Sequence, residues 1–277
     1  MLRSFLAEDI GYGDITTDAI VKHGTQATGY VICKENGVIA GIREGRTLLQ
    51  IVGCQTTRAV EDGTIVRPGT KILYAKGPAH SLLKVERVLL NLLSHMSGVA
   101  TATHELVQLA EKSNGRVRIA CTRKTLPGLR YFEKRAVELG GGDTHRLRLD
   151  DMVLIKDNHL AIAGTIEKTV KLARTKNSFT KKIEVEVTSP VQAVEAAKAG
   201  AEIVLLDNMP PNKILETIKL LRTKQLRDRV ILEASGGITK ENIASYLKTG
   251  IDIISVGKIT NSARSIDMSF DIRKETG

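Results

Sequence analysis

Residues 183–208 read IEVEVTSPVQAVEAAKAGAEIVLLDN, and this stretch decides the fold. Ile183–Val187 and Ile203–Leu206 are short, apolar-rich runs of strand length. Between them Pro190–Ala199 carries a proline at its start and Gly200 just past its end. That asymmetry marks a helix: proline gives up an N–H the first turn does not use, and glycine takes the left-handed φ that closes the last turn. A strand, a helix and a strand in this order make a parallel pair. Parallel strands buried on both faces and separated by helices imply a barrel or a doubly wound sheet.

The same rhythm extends in both directions. Further strands are expected at Arg118–Thr122, Met152–Lys156, Val230–Ala234 and Ile253–Val256. Further helices are expected at Pro211–Arg222 and at Lys240–Thr249, which Gly250 ends. Six strands fall two short of a complete eight-stranded barrel. Ahead of them the period changes. Leu82, Val85, Leu89, Leu92, Leu93 and Met96 recur at helical spacing, and a second helix is expected from Ser97-Gly98 to Glu111. Within the first of these helices Glu86 and Arg87 read as a solvated pair.

Residues 1–80 read as β-rich. A turn is expected at Glu8-Asp9 with the Gly11/Gly13 pair, short apolar runs lie at Gly29–Cys33 and Val38–Ala40, and a helix is expected at Arg43–Val52. Turns at Asp62-Gly63 and Pro68-Gly69 flank short strands that resemble lipoyl-carrier hairpins. No exposed lysine occupies a matching hairpin tip, so the likeness is one of architecture. The closing SFDIRKE, residues 269–275, reads as one more strand returning to the N-terminal part. The domain expectation is therefore 1–98 joined by 263–277, and 99–262 for the barrel.

Composition narrows the partners. With 277 residues, 42% hydrophobic and 26% charged, the chain has globular proportions. No apolar run approaches the roughly 18–20 residues of a membrane span, and the first residues turn acidic without a signal-peptide core. Three widely spaced cysteines, Cys33, Cys54 and Cys121, suit reduced thiols in a cytoplasm. The formal charge of +10 invites a nucleic-acid reading. Aromatics at 3%, no tryptophan, and no helix-turn-helix or zinc-finger spacing argue against it. A small, highly anionic ligand fits better. Between Arg116 and Arg148 stand nine Lys/Arg against three acids, six of the chain's net positive charges.

The strand ends carry the chemistry, because in parallel α/β folds the C-terminal ends face the site. In chain order they supply Thr122-Arg123-Lys124, Lys156, Glu186, Asp207-Asn208, Ser235-Gly236-Gly237 and Ser255-Val256-Gly257. Either glycine turn alone is an ordinary turn. Together on the last two strands they read as backbone N–H groups that a phosphate can approach closely. Glu186 and Asp207 come from neighbouring strands, and Glu184 shares a face with Glu186 by period-2 alternation. Two readings stay open for these acids: carboxylate ligands for Mg²⁺ beside ligand phosphates, or ion-pair partners of nearby cations. His145 likewise reads as a structural histidine or as a donor to a ligand carboxylate or ring nitrogen, with Gly140–Gly142 as the tight turn that presents it beside Arg146. Arg130, Lys134 and Arg135 stand at no strand end.

EDIGYGDITT, ERVLLNLLSHMSGVAT, TRKTLPGLR, KRAVELGGGDTHRLRLDDMVLIKDNH, EVEV, LLDN, EASGGI and IDIISVGKIT together span nearly the whole chain. In these motifs and their order the sequence resembles the quinolinate phosphoribosyltransferase family, the decarboxylating nicotinate-nucleotide pyrophosphorylases of NAD synthesis. The resemblance implies an N-terminal α+β open sandwich, an incomplete six-stranded α/β barrel, and a cytoplasmic homodimer or hexamer. It implies that Thr122, Arg123, Lys124, His145, Arg146 and Lys156 hold quinolinate, with Arg87 entering from the partner subunit. It implies that Glu186 and Asp207 face the ribose and Mg²⁺ of phosphoribosyl pyrophosphate (PRPP), and that Ser235, Gly236, Gly237, Ser255 and Gly257 take its 5-phosphate. Lys124, Lys156, Glu186 and Asp207 are then the catalytic candidates. Two relatives with the same fold are the alternatives: a paralogue of the molybdenum-transport type, and an enzyme that takes nicotinate itself.

Overall fold

The structure, a computed structural model, describes residues 1–113 and 116–275. The chain divides into two compact units, residues 1–104 with 126–141 and 262–277, and residues 105–125 with 142–261. The segment 126–141 thus clusters with the N-terminal unit, whereas the sequence pattern had suggested the barrel.

The first unit begins with three short elements, α1 (Leu2–Ile10), α2 (Ile15–Ile20) and β1 (Gln26–Cys33). It continues through β2 (Gly37–Val38), α3 (Ile42–Ile51), β3 (Gln55–Ala59), β4 (Ile65–Val66), β5 (Thr70–Pro78) and α4 (Ala79–Ser113). The β-rich expectation therefore missed two helices: Glu8-Asp9 lies inside α1, and the turn begins only at Gly11. Asp14 caps α2, its carboxylate accepting the Thr17 N–H at 3.0 Å.

Helix α4 is one helix of 35 residues, not two. Ser97-Gly98 is no break, because both residues serve packing. The Ser97 hydroxyl accepts the Ala40 N–H at 3.0 Å and donates to the Ala40 carbonyl at 3.2 Å. A Cβ on Gly98 would stand 2.1 Å from the Arg264 carbonyl oxygen. No described helix is long and apolar enough to cross a membrane.

The second unit is the βα repeat. Its strands are β6 (Arg118–Ala120), β7 (Val153–Ile155), β8 (Ile183–Val187), β9 (Ile203–Asp207), β10 (Ile231–Ser235) and β11 (Ile253–Ser255). All pairings are parallel, in the order β6-β11-β10-β9-β8-β7. The two ends of that order, β6 and β7, are not paired to each other, so the sheet is an incomplete α/β barrel. Helices α5 (Arg130–Leu139, in the first unit), α6 (Asp157–Ala163) and α7 (Ile166–Lys176) were not anticipated. The α8 (Pro190–Ala199) bounds match the sequence reading, with the Ser189 hydroxyl accepting the Gln192 N–H and Gly200 at φ 93°. The remaining helices are α9 (Pro211–Thr223), α10 (Ile243–Leu247) and α11 (Lys258–Asn261). The last strand, β12 (Met268–Lys274), pairs antiparallel with β1, giving the N-terminal sheet order β12-β1-β5-β3.

Strand interiors explain the rigidity of the frame. Ile183, Val185, Val204, Leu206, Leu232 and Ile254 are fully buried. Each such side chain contributes about 1.5–3 kcal/mol relative to exposure.

Candidate active site

The strand ends of the second unit open into a cavity of about 410 Å³. Thr122, Arg123 and Lys124 line it from the segment after β6, and Lys156 lines it from the end of β7. Glu186, Asp207 and Ser235 line it from β8, β9 and β10. His145 and Arg146 complete the predicted set. Arg87, Gly236, Gly237, Ser255 and Gly257 are not among the lining residues.

The path of residues 142–146 explains how His145 reaches the cavity. Asp143 runs beside β6: its N–H donates to the Ile119 carbonyl and its carbonyl accepts the Cys121 N–H. His145 then adopts φ 52°, left-handed backbone that a non-glycine residue holds at a cost of about 1–3 kcal/mol. The Asp143 carboxylate, accepting the His145 N–H at 2.7 Å, fixes that turn. The glycine triplet contributes differently from expectation. Only Gly141 has positive φ, while a Cβ on Gly140 would lie 2.4 Å from the Ala100 carbonyl oxygen.

Two arginines, Arg123 and Arg146, line the cavity together. Arg123 has a buried Nε with no hydrogen-bond partner. Burial, then the charge of Arg123, hold the Arg146 pKa below its ordinary value. Nearby acids oppose that trend without cancelling it. Such a pair in a cavity calls for an anion. Lys156 differs: its ammonium donates to the Glu186 carboxylate in a very short pair. Glu186 is therefore an ion-pair partner, as one of its two readings had it, and it lines the cavity.

His145 is the surprise. Its Nδ1 accepts the Arg146 N–H at 2.7 Å, while its Nε2 lies 3.3 Å from Glu184 and 3.2 Å from Glu233. Both acids are buried, at 0% and 1% side-chain exposure. Burial opposes charge on the imidazole, but the two carboxylates outweigh it and push its pKa up to about 10. Burial also raises the Glu184 pKa. The cluster therefore retains an extra proton through neutral pH.

Glu233, Leu154 and Leu205 were not picked out in the sequence. Glu233 lines the cavity, with Asn208, Leu154 and Leu205. An acid within the apolar run ILEAS, two residues before Ser235 and so on the same face, was the signal for Glu233. Ser255 is 2% exposed and its hydroxyl donates to Glu233, so that hydroxyl is already engaged. Around the phosphate-type turn, Gly236 at φ 95° is irreplaceable: a Cβ there would stand 2.3 Å from the Asn208 side-chain oxygen. Gly237 is also left-handed, at φ 61°.

The charge block of residues 116–148 divides. Arg135, in the first unit, pairs with Glu44 at 3.1 Å and Asp62 at 2.9 Å. Lys134 is buried, and Arg118 is 74% exposed beside Asp143. Arg87 is exposed on α4 in the first unit, next to a half-buried Glu86 whose pKa burial raises.

Fold and strand-end cavity together define a barrel-type phosphoribosyltransferase. The chain belongs to the quinolinate phosphoribosyl transferase family, whose N-terminal domain matches residues 14–97 and whose C-terminal domain matches residues 99–271. It is 48% identical to a probable nicotinate-nucleotide pyrophosphorylase [carboxylating] of Methanothermobacter thermautotrophicus, covering 99% of this chain and 98% of that one. It is 40% identical to the nicotinate-nucleotide pyrophosphorylase [carboxylating] of Mycobacterium leprae, over 98% and 95% of the two chains. The crystal structure of NadC from Streptococcus pyogenes superposes with a TM-score of 0.91 at 37% identity, over 99% and 96%.

Proposed function

We propose that the chain transfers the phosphoribosyl group of PRPP to quinolinate with loss of CO₂, giving nicotinate mononucleotide and pyrophosphate in NAD biosynthesis. The supporting observation is the mutual repulsion of Arg123 and Arg146 in the cavity that also holds Glu186 and Asp207. Quinolinate carries two adjacent carboxylates, and planar guanidinium groups bind carboxylates in bidentate fashion. At an effective dielectric near 20, one unit-charge pair at about 4 Å gains roughly 4 kcal/mol before desolvation. A cationic pair of this kind favours the dianion over nicotinate, whose single carboxylate leaves one cation unmatched.

In this reading Arg123, Arg146 and Lys156 orient the pyridine, with Thr122 beside them and Arg87 of the partner subunit closing the site of a cytoplasmic homodimer or larger assembly. The turn Ser235-Gly236-Gly237, and Gly257 after β11, offer backbone N–H groups to the 5-phosphate, while the Val256 N–H is taken by the Ala120 carbonyl. Glu186 and Asp207, two cavity carboxylates on neighbouring strands, suit Mg²⁺, which takes carboxylate and phosphate oxygens and when bound offsets the charge of a departing pyrophosphate. The pyridine nitrogen attacks the anomeric carbon of PRPP as the bond to pyrophosphate breaks. The ring nitrogen then carries positive charge, which receives the electron pair released when the adjacent carboxylate leaves as CO₂. The vacated ring carbon takes a proton from an ammonium lining the cavity, Lys124 or Lys156. His145 lines the cavity beside them, its Nδ1 accepting the Arg146 N–H.

The test is turnover with PRPP, Mg²⁺ and either quinolinate or nicotinate, following CO₂ and pyrophosphate. CO₂ from quinolinate is expected. Its absence overturns the reading, and pyrophosphate from nicotinate alone points to the nicotinate enzyme. Mixing inactive Arg87→Ala and Lys156→Ala chains is expected to restore activity through hybrid dimers. No recovery in chains shown to exchange removes Arg87 from the partner's site.

A further inference from the structure

Glu186 and Asp207 line the same cavity, and the fold answers them differently. Glu186 meets a cation, Lys156. Asp207, at the end of β9, pairs with no cation among the described residues. Its carboxylate accepts instead from the side-chain amide of the next residue, Asn208, at 2.8 Å. Asn208 is itself held from several sides. Its backbone N–H donates to the Ser235 carbonyl at 2.8 Å, and its φ of 51° is left-handed. Its amide lies against Gly236, where a Cβ would stand 2.3 Å from Oδ1 and 2.5 Å from Cγ. A carboxylate only accepts, so the amide turns its NH₂ to Asp207 and leaves its oxygen on the Gly236 side.

We propose that Asn208 is a positioning residue for PRPP, whose amide fixes the Asp207 carboxylate relative to the Ser235-Gly236 turn. A sugar phosphate carries hydroxyls and a phosphate at a set separation. A carboxylate accepts from hydroxyls, and the N–H groups of a glycine turn donate to phosphate. A carboxylate free to rotate beside that turn would lose part of the match. The left-handed backbone alone does not account for asparagine. Glycine takes a positive φ more readily, and aspartate tolerates it as asparagine does. What asparagine adds over either is a donor that reaches the preceding carboxylate. Glycine has no side chain, and aspartate would set a second negative charge against Asp207. Gly236 fits the same account, since a side chain there would push the amide off Asp207.

The proposal rests on the phosphoribosyl reading, and the test separates the two. Asn208→Gly of the full chain removes the amide and keeps the backbone. Its KM for PRPP is expected to rise about ten- to a hundredfold, as for a lost partner of a ligand-binding side chain, with the quinolinate KM within about twofold of wild type. A role in the backbone turn alone predicts no loss, because glycine suits φ 51°. A PRPP KM within about twofold of wild type in Asn208→Gly therefore overturns the proposal. Should the glycine variant fail to fold, Asn208→Asp carries the same test against the same thresholds. Calorimetric titration of PRPP with Mg²⁺ shows whether Asn208 acts through Asp207. In an Asp207→Ala background, Asn208→Gly is expected to weaken binding no further, and a full additive loss there overturns the proposal. If wild type releases no CO₂ from quinolinate, the functional reading fails, and the same titration of wild type and Asn208→Gly decides alone. Binding at least about tenfold weaker in the variant supports the role of Asn208; equal binding, or none to wild type, overturns it.

Discussion

Arg135 and Arg146 stand eleven residues apart in one dense run of positive charge, and their surroundings are opposite. Arg135 is answered inside its own unit by Glu44 and Asp62, which with its other neighbours raise its pKa against the effect of burial. Arg146 has the reverse balance, with burial and Arg123 both lowering its pKa. One arginine is neutralised by the fold. The other lies in the cavity, with burial and a like charge set against it. Charge density along the sequence therefore locates neither site nor core; what separates the two is whether the surroundings on balance favour the charge, as for Arg135, or disfavour it, as for Arg146.

The widest gap between the two regions is expected in activity. Arg123→Ala or Arg146→Ala removes a cation from the cavity that the proposed ligand enters. Truncating one member of a desolvated charge pair costs about 2–5 kcal/mol, so kcat/KM for quinolinate should fall on the order of a hundredfold to a thousandfold. Chemical denaturation should show stability kept or slightly raised, since one repelling cation is gone. Unchanged kcat/KM in both variants would dissolve the contrast. Arg135→Ala should do the opposite. It strands Glu44, 4% exposed, and after discounting for the 22% exposure of Arg135 the loss is about 2–3 kcal/mol of stability. The kcat/KM of its folded fraction should match wild type.

How much of this was legible beforehand follows from how local each signal is. The six parallel strands could be read because a strand buried on both faces must be an apolar run, and α8 because its proline and glycine mark its own ends. The single α4 could not, since what makes Ser97-Gly98 helical is Ala40 and Arg264, far away in sequence. In the site, residues at strand ends were legible from position alone. The engagement of His145 was not. It depends on Asp143 running beside β6, and on acids from β8 and β10 meeting one ring. Glu233 lay in between: its shared face with Ser235 was readable, but its partner Ser255 comes from the next strand.

The smallest effect sharpens the contrast most, because it tests how each arginine is held. Arg135 is held directly by the carboxylates of Glu44 and Asp62. The Arg146 backbone N–H is held by an imidazole that Glu184 and Glu233 face. An unfolded histidine titrates near 6.5, whereas the pKa of His145 is pushed up to about 10. Between those values the native chain binds one proton more than the unfolded chain. The contribution is therefore complete below about pH 6.5 and is lost as pH rises through about 10. The slope is at most about 1.4 kcal/mol per pH unit. Urea unfolding from pH 7 to 9 should show the stability difference between wild type and His145→Asn shrinking by about 1 kcal/mol per unit. The difference between wild type and Arg135→Ala should stay level. If both differences run parallel with pH, the imidazole does not hold the cluster's proton, and the two arginines are anchored by the same kind of contact after all.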